Sequence, residues 1–349
     1  MRIASVASAM PQWYYSQQEI FQALCEHWKD KLEKPEVLER FHQRVSVEHR
    51  HLAFPIEEYK AIGTWGDAND RWIRAALDLG DRAITGALER AGKKKSDMGA
   101  LITVSVTGIS APSLDAKLTN KMGLPLGMRR TPIFGLGCVA GAAGISQAAD
   151  YVQAYPDRIA VLLSVELCSL TWQRKDLSVA NMIASGLFAD GSAAVVVAGD
   201  NVETDGPEIL GHRSSFYPNT EHLMGWDISE EGFQIVLSAD VPETIQKYFP
   251  HDIDSFLADH NLRRSDIGTW IMHTGGPKIL DAGAESLGLT RKDFAPSWEC
   301  LRRAGNMSSA SVLLVLEDFM QNIHPKKGTY SVLAAMGPGF CSEAVLLRW

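Results

Sequence analysis

The sequence predicts an α/β protein made of two similar halves. Short apolar segments suited to buried strands alternate with longer segments of helical periodicity, and this interleaving is typical of α/β layers. No low-complexity linker interrupts the pattern, so the halves are expected to form one compact body. Charged and turn residues cluster near 199–211, which predicts a boundary between a half at 1–205 and a half at 206–349.

The predicted elements are spread over both halves. Strands are expected at 100–106, 131–134, 158–165, 193–198, 269–272, 331–335 and 343–348. Helical patterns fall near 17–30, 67–91, 139–154, 241–259 and 309–321. The segment 131–134 reads as a short buried strand that leads through a run of small residues into the helix at 139–154.

Composition narrows the class of protein. The 349 residues are 46% hydrophobic and 22% charged, which suits a globular chain with a sizeable core. A net charge of −8 argues against a nucleic-acid partner. No apolar stretch is long enough for a signal peptide or a membrane span, so a cytoplasmic protein is expected. Five widely spaced cysteines without a CxxC pair indicate reduced thiols and no metal site.

Cys138 is the first candidate for chemistry. It lies in a glycine-rich run, 135–144, between a predicted strand and a predicted helix. At such a turn, unpaired backbone N–H groups and the helix dipole favour an anion, so the pKa of the thiol is expected to fall. The glycines also let a substrate carbonyl approach closely. A small cysteine buried at a helix start is the simpler alternative.

Two distant residues strengthen the hypothesis of a nucleophilic thiol. His273 ends an apolar strand, and a glycine pair and a proline follow it. Asn306 lies in the segment 304–311, directly before an apolar helix. A histidine at a strand end and an asparagine before a helix are each often structural. Together with Cys138, however, they supply a nucleophile, a base and a donor for an oxyanion.

These residues lie in motifs that resemble one family. The chain is similar to type III polyketide synthases, the chalcone synthase superfamily of the thiolase fold. The matching motifs run in the family's order over nearly the whole chain: GCVAGAAG at 137–144, LLSVEL at 162–167, GLFADGSAAVVV at 186–197, MHTGGPKILD at 272–281, GNMSSASVLLVLE at 305–317 and GPGF at 337–340. The resemblance implies a thiolase-like fold, an α-β-α-β-α five-layered sandwich of two pseudo-repeated halves.

The resemblance also implies a reaction. Cys138 would hold an acyl group from a starter acyl-CoA, and His273 would keep the thiol as an ion-paired thiolate. His273 and Asn306 would then donate hydrogen bonds to the enolate formed when malonyl-CoA loses carbon dioxide. Repeated condensation and cyclisation would complete the product. Acyl-CoA and malonyl-CoA are therefore the expected partners of a homodimer, and no metal or redox cofactor is required.

Further positions follow from the resemblance alone. Arg40 and Arg44 match basic positions that bind the CoA phosphates, although Val37 replaces a third; Gly275 and Ser308 would line the CoA tunnel. Phe188 takes the place of a gatekeeper aromatic. The second gatekeeper falls at Phe233 or Ile235, and the register between these two stays open.

The expected substrate depends on the size of two pocket residues. Cys168 stands where plant chalcone synthases carry threonine, and Ala111 stands where they place a methionine that reaches into the partner subunit's cavity. The smaller side chains leave apolar volume, which favours a long-chain acyl starter and an alkylpyrone or alkylresorcinol product. Cys168 is alternatively an inert small hydrophobe.

Two other functions remain open on the sequence. One is a ketoacyl synthase III-like enzyme that makes a single condensation with a carrier-protein substrate. That family usually has an asparagine shortly after the histidine, where this chain has Thr274. The other is a non-catalytic thiolase-fold partner subunit that binds acyl groups, which gains nothing from keeping a reactive thiol.

Overall fold

The computed structural model describes residues 1–349, which form thirteen strands and ten α-helices. The strands are β1 Arg2–Ala9, β2 Trp13–Ser16, β3 His49–Leu52, β4 Met98–Val104, β5 Arg129–Ile133, β6 Ile159–Leu167, β7 Asp190–Ala198, β8 Glu208–Phe216, β9 Met224–Ser229, β10 Gly232–Leu237, β11 Ile267–Met272, β12 Tyr330–Gly337 and β13 Cys341–Arg348. The helices are α1 Gln17–His27, α2 Pro35–Arg44, α3 Trp65–Arg90, α4 Leu114–Met122, α5 Ala140–Ala154, α6 Val179–Leu187, α7 Val241–Asp259, α8 Pro277–Leu287, α9 Ala295–Ala304 and α10 Ser311–Asp318.

Nine strands form one hydrogen-bonded sheet in the order β11-β12-β13-β8-β1-β7-β6-β4-β5. Five of these strands, β1, β7, β6, β4 and β5, come from the first half of the chain. The other four, β11, β12, β13 and β8, come from the second half. The two groups meet at an antiparallel contact of β1 with β8, where Arg2 pairs with Glu208. Each half of the sheet therefore belongs to one half of the sequence.

Helices cover both groups of strands and also separate them. The apolar side chains of α5 and α10 pack between the two groups in one central core. The long helix α3 covers the outer face of the first group, and α7 with α8 cover the outer face of the second. The layers therefore alternate α-β-α-β-α, as the resemblance implied. Because both faces of β6 and β7 are covered, every residue of these strands is buried, which explains their runs of consecutive apolar residues at 159–163 and 193–198.

One predicted strand differs from the structure. The segment expected to be a short buried strand becomes β5, which lies at the edge of the sheet and pairs with β4 alone. Arg129, Arg130 and Pro132 are exposed, and Phe134 beyond the strand is 45% exposed. An edge strand has one neighbour in place of two, so part of its surface faces solvent in the single chain.

Local signals explain where several helices begin. The Ser16 hydroxyl accepts from the Glu19 N–H and the Glu19 carboxylate accepts from the Ser16 N–H, so a capping box starts α1. Thr64 and Asp67 do the same for α3. The helix predicted at 309–321 is divided into a 3₁₀ turn at Ser308–Ala310, α10 and a π-helical turn at Phe319–Ile323. None of the ten α-helices has both the length and the apolar character that spanning a lipid bilayer demands.

Candidate active site

Cys138 lies on a 3₁₀ turn, Gly137–Val139, directly before α5. Gly137 has a φ of 56°, and a Cβ on it would come 2.5 Å from the Cδ of Pro338. A Cβ on Gly141, inside α5, would come 2.2 Å from the carbonyl oxygen of Ser309. The two glycines therefore allow the second half of the chain to approach the cysteine from two sides.

His273 follows β11 and points its ring into the same cavity as Cys138. Its backbone N–H donates to the carbonyl oxygen of Ala334 at 3.0 Å, which continues the pairing of β11 with β12. The side chain is buried, and neither ring nitrogen has a hydrogen-bond partner within the protein. Both nitrogens are thus available to a substrate or to the thiol.

Asn306 is held by backbone hydrogen bonds to the end of α6. Its N–H donates to the carbonyl oxygen of Leu187 at 2.9 Å, and its carbonyl accepts from the Ala189 N–H at 2.8 Å. Its side-chain Oδ1 accepts from the Ser308 N–H at 2.8 Å. Because a backbone N–H only donates, this bond fixes the oxygen, and the NH₂ group is left as the free end of the amide.

These three residues line one cavity. Gly275 and Ser308 lie in its wall, and the Ser308 hydroxyl is 3.5 Å from the Cys138 Sγ. The structure therefore brings together residues that are far apart in the sequence. No three histidine, cysteine, aspartate or glutamate side chains lie close enough to one another to hold a metal ion.

The charge state of the pair differs from the sequence-based expectation. Burial raises the pKa of the Cys138 thiol to about 12. The hydrogen bond with Ser308 acts in the opposite direction, and the nearby Glu166 adds to the increase. Burial lowers the pKa of His273 to about 4. The expected lowering of the thiol pKa at the helix start is therefore wrong, because loss of hydration outweighs the effect of the turn. Thiol and imidazole are both neutral near pH 7.

A buried carboxylate lies behind the cysteine. Glu166 accepts hydrogen bonds from the Val106 N–H at 3.1 Å, the Thr107 hydroxyl at 2.9 Å and the Ser105 hydroxyl at 3.2 Å. It also accepts from the Ser309 hydroxyl. Burial raises its pKa to about 7. These bonds join the loop after β4 to the segment that carries Asn306, so Glu166 fixes the two walls relative to each other.

A second cavity adjoins the first. Four residues line both cavities and form the partition between them: Cys168, Phe188, Trp226 and Ile235. Phe188 also forms an isolated β-bridge with Asn306, so the partition is tied to the catalytic wall. The cavity lined by Cys138, His273 and Asn306 is called the catalytic cavity below. The cavity on the other side of the partition is called the rear cavity.

The hairpin β9–β10 places Ile235 and Phe233, the two candidates for the second gatekeeper, in different surroundings. Ile235 faces both cavities, whereas Phe233 is buried among Trp65, Phe134 and Trp226 and lines neither cavity. Trp226, the cross-strand partner of Ile235, was missed by the sequence analysis. The local signal for it was an aromatic residue after Gly225.

Three predicted positions lie away from both cavities. Arg40 and Arg44 are exposed on α2, which packs against α6. Neither side chain forms an ion pair or a hydrogen bond within the protein. Ala111 is exposed in the loop after β4 and lines none of the cavities described here.

The chain is similar to one known protein family over nearly its whole length. The family model for the N-terminal domain of chalcone and stilbene synthases matches residues 3–201, and the model for the C-terminal domain matches residues 208–349. A 1,3,6,8-tetrahydroxynaphthalene synthase from Streptomyces peucetius subsp. caesius is 46% identical, over 99% of this chain and 93% of the relative. A 3,5-dihydroxyphenylacetyl-CoA synthase from Streptomyces toyocaensis is 32% identical, over 100% of this chain and 90% of the relative.

A solved structure extends the similarity to the whole fold. The crystal structure of 1,3,6,8-tetrahydroxynaphthalene synthase from Streptomyces coelicolor A3(2), described as a bacterial type III polyketide synthase, superposes with a TM-score of 0.95. The two chains are 32% identical, and the match covers 100% of this chain and 99% of the other.

Proposed function

The chain belongs to the chalcone and stilbene synthase family and is a type III polyketide synthase, a condensing acyltransferase that depends on malonyl-CoA, and we propose that it builds an aromatic polyketide from malonyl units alone. The observation that carries the proposal is the 46% identity, over nearly the full length, to a tetrahydroxynaphthalene synthase. The named products of the two relatives carry no alkyl tail. Their carbon skeletons are multiples of two carbons with oxygens on alternating positions, as malonyl units would supply.

The residues of the catalytic cavity have distinct roles in this proposal. The Cys138 Sγ attacks the thioester carbonyl while its proton passes to His273, and the CoA thiolate leaves and takes up that proton. The next malonyl-CoA loses carbon dioxide by cleavage of its carboxyl C–C bond, and the electron pair forms an enolate. The His273 N–H and the free NH₂ of Asn306 donate to the enolate oxygen. The enolate carbon then attacks the acyl group on Cys138, forms the new C–C bond and breaks the C–S bond, and the Cys138 thiolate that leaves takes up a proton from water.

Binding of the CoA nucleotide is assigned to α2. Arg40 and Arg44 are exposed and have no partner within the protein, so both guanidinium groups are free to meet phosphates. Because α2 packs on α6, and α6 ends next to Phe188, a CoA held on α2 would lie near the entrance to the catalytic cavity. Gly275 and Ser308 then line the path of the pantetheine arm.

The rear cavity supports a second candidate product. It is lined largely by apolar residues such as Ile20, Leu24 and Leu52, and the small Cys168 lies in the partition. A long acyl tail would bury its methylenes there, and each buried CH₂ would stabilise the bound state by about 0.8 kcal/mol. This observation favours a long-chain acyl starter and an alkylpyrone or alkylresorcinol product.

The two candidates are separated by the products that the enzyme releases. The purified enzyme is incubated with malonyl-CoA alone and with malonyl-CoA plus acyl-CoAs from acetyl to stearoyl, and the products are identified by mass spectrometry. We expect an aromatic polyketide from malonyl-CoA alone. Products formed only when a long-chain starter is present would overturn that proposal in favour of the alkylpyrone. No extended product from any CoA starter, despite decarboxylation, would indicate a carrier-protein substrate.

A cavity-filling variant tests the part played by the rear cavity. Ala23 on α1 lines it, whereas Gln22 on the same helix is exposed. Ala23→Phe is expected to reduce products from palmitoyl-CoA at least about tenfold, since a ring takes the volume of several methylenes. The control Gln22→Phe, at an exposed position of the same helix, should keep both product classes and the thermal unfolding of the wild type. A lowered unfolding temperature of Ala23→Phe would show that the substitution acts on folding.

We further propose that the enzyme works as a homodimer. Exposed apolar side chains gather around the edge strand β5, where Ile109 is 49%, Leu126 93% and Phe134 45% exposed. Ala111 lies in the same loop as Ile109, so pairing through this face would bring it towards a second copy. Light scattering is expected to give twice the 38.3 kDa of one chain, and Leu126→Glu is expected to shift that mass towards the monomer. A monomer at micromolar concentration would contradict the assignment.

A further inference from the structure

The wall of the rear cavity contains a buried guanidinium. Arg50, in β3, is 1% exposed and lines this cavity directly behind the gatekeeper. Its Nη1 donates to the carbonyl oxygen of Phe188 at 3.0 Å and its Nη2 donates to that of Ser185 at 2.5 Å. The Nε–H has no partner in the protein. Both hydrogen bonds of the guanidinium thus end on neutral carbonyls.

Asp190 acts on Arg50 through space, but the two side chains form no direct ion pair. Asp190 accepts from the Ala53 N–H at 2.6 Å and from the Ser169 N–H at 2.8 Å, and also from the Ser169 hydroxyl. Burial lowers the pKa of Arg50 only to about 10, so the side chain is a cation at neutral pH. A buried cation without a contacting anion is costly, and proteins normally pair such charges.

A second donor without a partner lines the same cavity. The Nε1–H of Trp172 is buried and makes no hydrogen bond, and the ring lies against His27 and Trp28. Arg50 and Trp172 each line a largely apolar cavity and each has a buried N–H without a partner, which suits a ligand that is mostly carbon but carries acceptor oxygens. An alkyl tail would leave both donors unsatisfied, at a cost of about 1–3 kcal/mol for each group.

We propose that the rear cavity binds the carboxylate at the far end of the acyl chain, with Arg50 as its ion-pair partner and Trp172 as an additional donor. This proposal rests on the proposed assembly from malonyl units, because a chain started by malonyl without loss of its carboxyl group carries a carboxylate opposite the thioester. As condensation lengthens the chain on Cys138, that end moves past Phe188 into the rear cavity. Arg50 is then a residue that selects starters with an ω-carboxylate over neutral starters.

The first test uses the wild-type enzyme and matched starters. Dicarboxylic acyl-CoAs from malonyl to suberyl are compared with their neutral ω-methyl esters, and acylation of Cys138 is followed by mass spectrometry of the intact protein. We expect at least one chain length at which kcat/KM for acylation favours the carboxylate by about tenfold or more, as a charge-assisted bond supplies. Equal or better acylation by the esters at every length would overturn the proposal.

Variants then assign the preference to the two donors. Arg50→Gln should abolish the preference and Arg50→Lys should keep part of it, as the charge remains. Because Arg50 also holds the carbonyl oxygens of Phe188 and Ser185, Trp172→Phe provides a variant that leaves those bonds in place, and it should lower the preference several-fold. Trp28→Phe is the control, since its indole N–H donates to the Arg174 carbonyl and Trp28 does not line the rear cavity. Loss of the preference in the control alone would refute the assignment.

The result is separable from the test of the proposed function. A preference for ω-carboxylates without any product from malonyl-CoA alone would keep the binding site and remove the proposed product. A product from malonyl-CoA without that preference would keep the product and remove the role of Arg50.

Discussion

Asn306→Asp is expected to slow decarboxylation of malonyl-CoA by about 10²–10³-fold, measured as release of carbon dioxide in the absence of a starter. The Oδ1 of Asn306 already accepts from the Ser308 N–H, so the NH₂ group is the donor left for the enolate oxygen. An aspartate keeps the bond to Ser308 but replaces that donor with a carboxylate oxygen. The new negative charge also lies in a site from which water is largely excluded, where it repels the malonyl carboxylate.

Two controls separate these effects. Asn306→Ala removes the donor without adding a charge, so it should be less impaired than Asn306→Asp if repulsion contributes. Acylation of Cys138 by a starter acyl-CoA should stay within a few-fold of the wild type in Asn306→Ala, which shows that the cavity is intact. Decarboxylation near the wild-type rate in Asn306→Asp would remove Asn306 from the proposed mechanism.

Alkylation of Cys138 by iodoacetamide is expected to accelerate about tenfold for each pH unit between about pH 6 and 9, with no plateau at low pH. The thiolate is the reactive form, and a pKa raised by burial to about 12 leaves only a small thiolate fraction that grows with pH over this range. His273 adds no charge there, because its pKa is lowered to about 4 and the ring stays neutral. Ionisation of Glu166, with a pKa of about 7, opposes thiolate formation.

The alternative state gives a different profile. A stable thiolate–imidazolium pair would react at a nearly constant rate from about pH 6 upwards, because the thiol would already be ionised. Peptide mass spectrometry distinguishes Cys138 from the half-buried Cys25 and Cys341, which serve as internal references. A flat profile for Cys138 would show that the ion pair implied by the family resemblance forms before substrate binds.

Much of the fold was predictable because burial leaves a strong local pattern. The central strands β6 and β7 are covered on both faces, so each contains a run of consecutive apolar residues, at 159–163 and 193–198, that identifies it. By contrast, β1 and β8, which join the two halves of the sheet, were not predicted. The first is rich in small residues and the second is largely polar, so neither has a clear periodicity.

The identity of the candidate catalytic residues came from the sequence alone. Cys138, His273 and Asn306 each stand at an element boundary flanked by glycine, and such local motifs can be recognised without knowing which segments meet in space. The structure brings all three to one cavity, as the sequence analysis assumed. Their chemical roles are predictions that the Asn306 variants and the alkylation of Cys138 test.

The charge states and the shape of the cavities were decided only by the tertiary structure. The pKa of Cys138 depends on how completely distant segments exclude water from it, and no local motif records that. Whether Phe233 or Ile235 faces the substrate depends on how the β9–β10 hairpin packs against Trp65. The local sequence around Arg50 is that of an ordinary surface arginine. It is a buried cation without a contacting carboxylate because the end of α6 packs against it. Sequence motifs thus record which groups are present, whereas desolvation and packing, which sum over the whole chain, determine what those groups can do.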